Sequence, residues 1–121
     1  MESTTLAQQT ESIRSFKSSI RKCETALAQM NEKGSNTALL EKRLNALKIG
    51  LAILENIWRE QPFDRSSQEI RESREVLSGL LPSIERSYAK SKDGSPQKTL
   101  LERGMKSIEL AIEAIDDYSG G

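Results

Sequence analysis

The chain has 121 residues, one domain's worth, and its 18 basic and 18 acidic residues balance. A neutral chain has no general electrostatic attraction to nucleic acid or anionic lipid, so neither nucleic acid nor membrane is an expected partner. With no histidine and a single cysteine, the chain cannot build a typical zinc site, a Ser/Cys–His nucleophile pair or an internal disulfide framework.

Helix one is predicted over residues 4–32. From Ile13 onward its apolar residues recur in alternating steps of three and four, the heptad pattern of a helix that packs along one seam. Gly34 can adopt the left-handed conformation that ends many helices. Cys23 lies on the seam, so we expect a buried, unreactive thiol. The seam consists of Ile13, Phe16, Ile20, Cys23, Leu27 and Met30.

Helix two is predicted over residues 37–60, and Ser35, Asn36 or Thr37 can cap its start. Pro62 ends it, because proline cannot continue the backbone hydrogen bonding. The last seam residue, Trp58, lies close to Phe63 in sequence, and we expect the pair to plug one end of the core. The seam steps by four and three through Leu40, Leu44, Leu47, Leu51, Leu54 and Trp58.

Helix three is predicted over residues 67–92. The run Ser66-Ser67-Gln68-Glu69 matches a capping box, which marks its start. Gly79 and Pro82 fall inside it, so we expect either a kink or a break into two shorter helices. Ser95-Pro96 predicts the start of helix four, residues 96–118, because a capping serine precedes a proline in the first turn.

An internal repeat organises these four helices. Residues 39–51 reappear in similar form as residues 100–112, and each copy follows a Gly-Ser turn. Such a repeat indicates one supersecondary unit stacked on its copy. The predicted fold is an all-α, antiparallel up-down four-helix bundle over residues 1–121. It is built from a duplicated helical hairpin (about 4–60 and about 66–118), with helix three kinked near Gly79-Pro82.

Helices two and four each carry a second apolar stripe outside the seam. An ordinary bundle helix has one such stripe, so the second needs an explanation. Either both helices sit centrally and the chain covers both stripes itself, or the stripes are exposed and bind a second copy or a partner's amphipathic helix. The candidate partner-binding residues are Leu39, Ala46, Ile49, Ile53, Ile57, Leu100, Leu110, Ala114 and Tyr118.

Two charged groups offer weaker functional hypotheses. A basic face on helix one could bind nucleic acid or phosphate, although an exposed face paired with acidic groups of helix three or four is favoured. An acidic group on helix four could hold a cation or a basic partner, although a solvated face is favoured. The basic face is Arg14, Lys17, Arg21 and Lys22. The acidic group is Glu109, Glu113, Asp116 and Asp117.

The expected function is therefore a non-catalytic protein–protein interaction module: an adaptor, an oligomerisation domain or a small regulator. The expected partner is another protein or the chain itself. We expect no catalytic residue, cofactor or metal, because no nucleophile motif, phosphate loop or paired-carboxylate motif is present. Nucleic-acid or phosphate binding through helix one is the alternative, followed by an enzyme that needs a metal or partner residues. Because no signal peptide is apparent, a cytoplasmic location is expected.

Overall fold

A computed structural model describes residues 4–34 and 36–120. Four α-helices occupy most of this part of the chain, and it contains no strand. They are α1 (Leu6–Glu32), α2 (Ala38–Arg59), α3 (Ser67–Lys90) and α4 (Pro96–Gly120). The predicted all-α four-helix bundle is confirmed. None of these helices is both long enough and apolar enough to cross a lipid bilayer.

Capping side chains define three of the helix starts. The predicted capping box at Ser66 is present, with the Ser66 hydroxyl accepting a hydrogen bond from the Glu69 amide and the Glu69 carboxylate accepting one from the Ser66 amide. Thr5 and Gln8 form a second capping box at the start of α1. The Ser95 hydroxyl accepts a hydrogen bond from the Lys98 amide at 3.2 Å, as its position before Pro96 predicts.

The start of α2 is capped differently. Asn36 Oδ1 accepts a hydrogen bond from the Ala38 amide, and the Thr37 side chain makes no capping hydrogen bond. The third predicted candidate, Ser35, lies outside the described residues. Gly34 has φ of +70°, so it takes the left-handed conformation predicted after helix one.

Helix α3 is continuous through Pro82. The alternative of two shorter helices is therefore wrong, because the backbone keeps helical geometry on both sides of the proline. A kink near Gly79-Pro82 stays a prediction.

Helices α2 and α4 form the centre of the bundle. They contact each other and both flanking helices, whereas α1 and α3 do not contact one another in the described part of the chain. The cross-section is therefore a rhombus with α2 and α4 on its short diagonal. The buried apolar core includes Phe16 of α1, Leu77 of α3 and the middle segments of the two central helices.

Helices α1 and α4 run in the same direction where they touch. Arg103 Nη2 lies 3.5 Å from Glu11 Oε1, and the Ser107 hydroxyl lies 3.5 Å from the Ser15 hydroxyl. The contact thus advances by one helical turn on both helices together. In a regular up-down bundle these two helices would be antiparallel, so the arrangement differs from that expectation at this contact.

Burial of the two flanking helices is confined to short segments. All fully buried residues of α1 lie between positions 12 and 16, and those of α3 lie between 70 and 77. The second halves of both helices are only partly covered. The connection over residues 60–66 begins with Glu60 in the left-handed conformation, and the Gln61 amide donates a hydrogen bond to the Glu55 carbonyl at the end of α2.

Candidate functional site

The middle of the second apolar stripe is interior. Ile49 and Leu110 have no exposed surface, and Ala46, Ile53 and Ala114 are also buried. Four of them, Ala46, Ile53, Leu110 and Ala114, belong to the apolar core cluster. All five were expected on a partner-binding surface, and burial inside one chain removes them from it. The first of the two interpretations, coverage within the chain, holds for this part of the stripe.

The ends of the same stripe remain on the surface. Leu39 and Leu100 stand at equivalent positions of the repeat, and each exposes 64% of its surface. Ile57 and Tyr118 are also equivalent in the repeat. They are the exposed stripe residues near the carboxyl ends of α2 and α4. Two helices that pack at a crossing point diverge away from it, which leaves the end residues uncovered. The candidate partner-binding surface is therefore reduced to these four side chains.

The exposure pattern agrees with the sequence repeat. Leu54 and Ile115 are both fully buried, as are Ile49 and Leu110, while Leu39 and Leu100 are equally exposed. This position-by-position agreement supports a duplicated hairpin, which stays a prediction.

An aromatic contact fixes one end of the stripe. The rings of Phe63 and Tyr118 meet edge to face, with centroids 5.3 Å apart and an interplanar angle of 87°. Phe63 also packs, like Trp58, against the margin of the core. The sequence linked Phe63 to Trp58 and missed Tyr118, because a contact between a linker and the distant end of α4 has no signal in local spacing.

A polar groove lies between α1 and α4. It encloses about 470 Å³ and is lined by Gln8, Glu11 and Ser12 on one side and by Glu102, Arg103, Lys106 and Glu109 among others on the opposite side. Its walls carry both carboxylates and cations, so the groove has no field of a single sign. No group of three or more potential metal ligands occurs in the described part of the chain.

The basic face of α1 is fully exposed. None of its four residues makes a salt bridge with a described residue, so the expected pairing with acids of helix three or four does not occur. The face consists of Arg14, Lys17, Arg21 and Lys22.

One acid of helix four does have a cationic partner. Arg74 of α3 donates two hydrogen bonds to the Asp116 carboxylate, at 2.6 and 3.1 Å. These hydrogen bonds lower the pKa of Asp116 below its ordinary value, and the positive charge of Arg74 adds to the effect. The pair is exposed and ties α3 to α4 at their surface.

The turn between α3 and α4 carries a second ion pair. Lys98 Nζ lies 2.7 Å from Asp93 Oδ1 and 4.6 Å from the centre of the Tyr88 ring. The hydrogen bond from Lys98 lowers the pKa of Asp93 and raises that of Lys98. This arrangement closes the second hairpin and has a structural role.

Cys23 is half-buried on the seam of α1. Burial raises the pKa of its thiol, and the positive charge of Arg43 opposes the rise only in part. A thiol whose pKa is raised is mostly protonated at neutral pH, and this agrees with the expectation of an unreactive cysteine.

Comparison of the chain with protein-family models, with curated proteins and with solved structures gives no match. The functional argument therefore depends on the surface of this molecule alone.

Proposed function

We propose that this protein is a non-catalytic protein–protein interaction module that binds through the exposed ends of the apolar stripe on α2 and α4. The observation that carries the proposal is the equal, 64% exposure of Leu39 and Leu100 at equivalent positions of the repeat. A large aliphatic side chain that is mostly exposed at both copies of a repeat contributes little to the core at either, and its burial by a partner would remove apolar surface from water.

Partner burial would stabilise a complex through these side chains. Full burial of a leucine side chain contributes about 1.5–3 kcal/mol relative to exposure. Two such anchors support a specific contact only if neighbouring polar residues exclude water around them. Because the two leucines hold equivalent positions of the repeat, each molecule offers two equivalent anchors, and the proposal implies two binding sites per chain.

Affinity capture with matched variants tests this proposal. Wild-type protein and the variant Leu39→Glu/Leu100→Glu would be used as baits in extracts of the source cells. The control variant Asn45→Glu/Gln97→Glu adds the same two charges at exposed polar positions of the same helices. Any retained protein would then be purified and titrated against all three baits by calorimetry.

The proposal predicts a purified partner that binds wild type and control with equal affinity, at two sites per chain, and binds the leucine variant at least tenfold more weakly. Equal affinity for all three baits would overturn the assignment of the site. Retention of no partner by any folded bait would overturn the function.

A further inference from the structure

The basic face of α1 offers four cations to a partner. Arg14, Lys17 and Arg21 follow each other in steps of three and four, so they share one face of the helix, and Lys22 is next in the chain. All four side chains are exposed, and none makes a salt bridge with a described residue. The described part of the chain therefore leaves the charge of this face uncompensated.

The acids in the same part of α1 lie beside cations of neighbouring helices. Between residues 6 and 31 the acids are Glu11 and Glu24. Glu11 lies 3.5 Å from Arg103 of α4, and Glu24 lies 3.9 Å from Lys48 of α2. Together with the basic face, these side chains set six cations against two acids, a net charge of +4. The surface around α1 is thus positive although the chain as a whole is neutral.

The basic face fits an extended array of phosphates. From Arg14 to Arg21 the helix rises about 10 Å, at 1.5 Å per residue. Duplex DNA carries about one phosphate for every 1.7 Å of its axis, so several phosphates lie within reach of a line of this length. Among the described helices α1 contacts only α2 and α4, so its outer side is open to a partner. A helix about 10–12 Å in diameter also fits a major groove about 12 Å wide.

Two other anionic partners fit this face less well. Proteins that bind single-stranded nucleic acid stack its bases on exposed aromatic side chains, whereas the one aromatic residue of α1, Phe16, is fully buried. An amphipathic helix binds a lipid surface by inserting its apolar side. In α1 that side packs into the bundle, where Ile13 and Phe16 are buried.

We infer that the basic face of α1 binds the phosphate backbone of duplex DNA without sequence preference. This surface differs from the exposed ends of the apolar stripe, so the inference and the proposed function do not depend on each other. Because the chain is neutral overall, the attraction acts only within about one Debye length of α1, about 10 Å at 0.1 M salt. Binding is therefore weak and strongly dependent on salt.

The number of phosphate contacts sets the expected salt dependence. Each contact changes the slope of log K against log salt concentration by about −0.9, so four contacts give a slope of about −3.6. The affinity then falls by about a thousandfold between about 25 and 200 mM NaCl.

Two variants of the basic face test the inference. Arg14→Gln/Lys17→Gln/Arg21→Gln leaves one cation, and its slope is expected to be about −0.9. Arg14→Lys/Arg21→Lys keeps the charge, so its affinity and slope are expected to match those of the wild type. Glutamine, lysine and arginine have similar helix propensities and the three positions are exposed, so both variants keep the fold, and circular dichroism verifies this.

A control variant separates the basic face from the total charge. Lys42→Gln/Arg71→Gln/Lys90→Gln removes three positive charges, as the glutamine variant of α1 does, at exposed positions of α2 and α3. It is expected to bind as the wild type does, because none of these positions belongs to the basic face.

Fluorescence anisotropy of a labelled DNA duplex of about 20 base pairs gives the readout. At about 25 mM NaCl the glutamine variant of α1 is expected to bind at least tenfold more weakly than the wild type and the control. Equal binding by this variant and the control would overturn the inference, as would no binding by the wild type at about 100 μM protein. Wild type that cosediments with phosphatidylserine vesicles but does not bind the duplex would overturn it in favour of a lipid surface.

Discussion

Replacing Gly50 with alanine tests the closest packing between helices in the bundle. A methyl group at Gly50 would lie 2.8 and 3.0 Å from Cε1 and Cζ of the Phe16 ring and 3.4 Å from Cδ1 of Leu77. Phe16 and Leu77 are fully buried, so the ring cannot move aside into solvent. Gly79 provides the matched control, because nothing lies within 4 Å of a methyl group there.

Both substitutions bring the same gain in intrinsic helix propensity, about 1 kcal/mol. At Gly79 that gain is the whole effect, so Gly79→Ala stabilises the protein. At Gly50 the overpacked methyl group costs about 1–3 kcal/mol, which cancels or exceeds the gain. The difference between the two variants isolates the steric cost. It corresponds to a melting temperature about 4–12 °C lower for Gly50→Ala than for Gly79→Ala, at about 4 °C per kcal/mol.

Thermal unfolding followed by circular dichroism measures this difference. A third variant, Phe16→Leu, removes the ring atoms that the new methyl group would meet. In that background Gly50→Ala should cost less than in the wild type, with a coupling of about 1 kcal/mol between the two positions. If Gly50→Ala raises the melting temperature as much as Gly79→Ala does, the packing of α1 and α3 against α2 is not the one described.

Three further outcomes are expected. Ser66→Ala, which removes the cap of α3, should lower the free energy of unfolding by about 1 kcal/mol in a denaturant titration. Leu110→Ala should cost about 2–5 kcal/mol, because it leaves a cavity in the core, whereas Leu100→Ala should change stability by less than about 0.5 kcal/mol; equal effects would contradict the assigned burial. Because Arg74 lowers the pKa of Asp116 in the folded state, their contact stabilises the protein at neutral pH and this contribution disappears as the pH falls below about 4. Asp116→Asn should therefore cost at most about 1 kcal/mol at pH 7, and the cost should shrink as the pH falls through the lowered pKa of Asp116; a cost that does not depend on pH would show that the ion pair is not its origin.

The sequence was sufficient to predict the four helices and most of the residues at which they begin and end. Heptad spacing depends only on local periodicity, and so do the capping signals at Ser66 and Ser95, which is why all were readable without a structure. The box formed by Thr5 and Gln8 was missed even though its Thr-x-x-Gln pattern is present. The cap of α2 was left open among three residues, and the hydrogen bond that the Ala38 amide donates to Asn36 Oδ1 assigns it to Asn36 among the described residues.

The relative direction of the hairpins was not readable. A heptad seam specifies which face of a helix packs against its neighbours. It does not specify which ends of the two hairpins meet. The contacts of Ser15 with Ser107 and of Glu11 with Arg103 show which residues of α1 and α4 meet. The burial of the second stripe also depends on how the helices pack. Ile49 and Leu110 lie in the middle segments of α2 and α4 and are buried, while Leu39 and Leu100 lie near the starts of these helices and are exposed.

Division of this stripe into a buried middle and exposed ends is the central claim, because it determines which residues can meet a partner. Thermal unfolding of two double variants tests it most directly: Ile49→Glu/Leu110→Glu and Leu39→Glu/Leu100→Glu. Burying two unpaired carboxylates costs several kcal/mol each, a large fraction of the stability of a chain of this size.

The account predicts that Ile49→Glu/Leu110→Glu has no cooperative helical transition at 25 °C and above. It predicts that Leu39→Glu/Leu100→Glu melts within a few degrees of wild type. A folded, cooperatively melting Ile49→Glu/Leu110→Glu protein would contradict the account, because the middle of the stripe would then be surface.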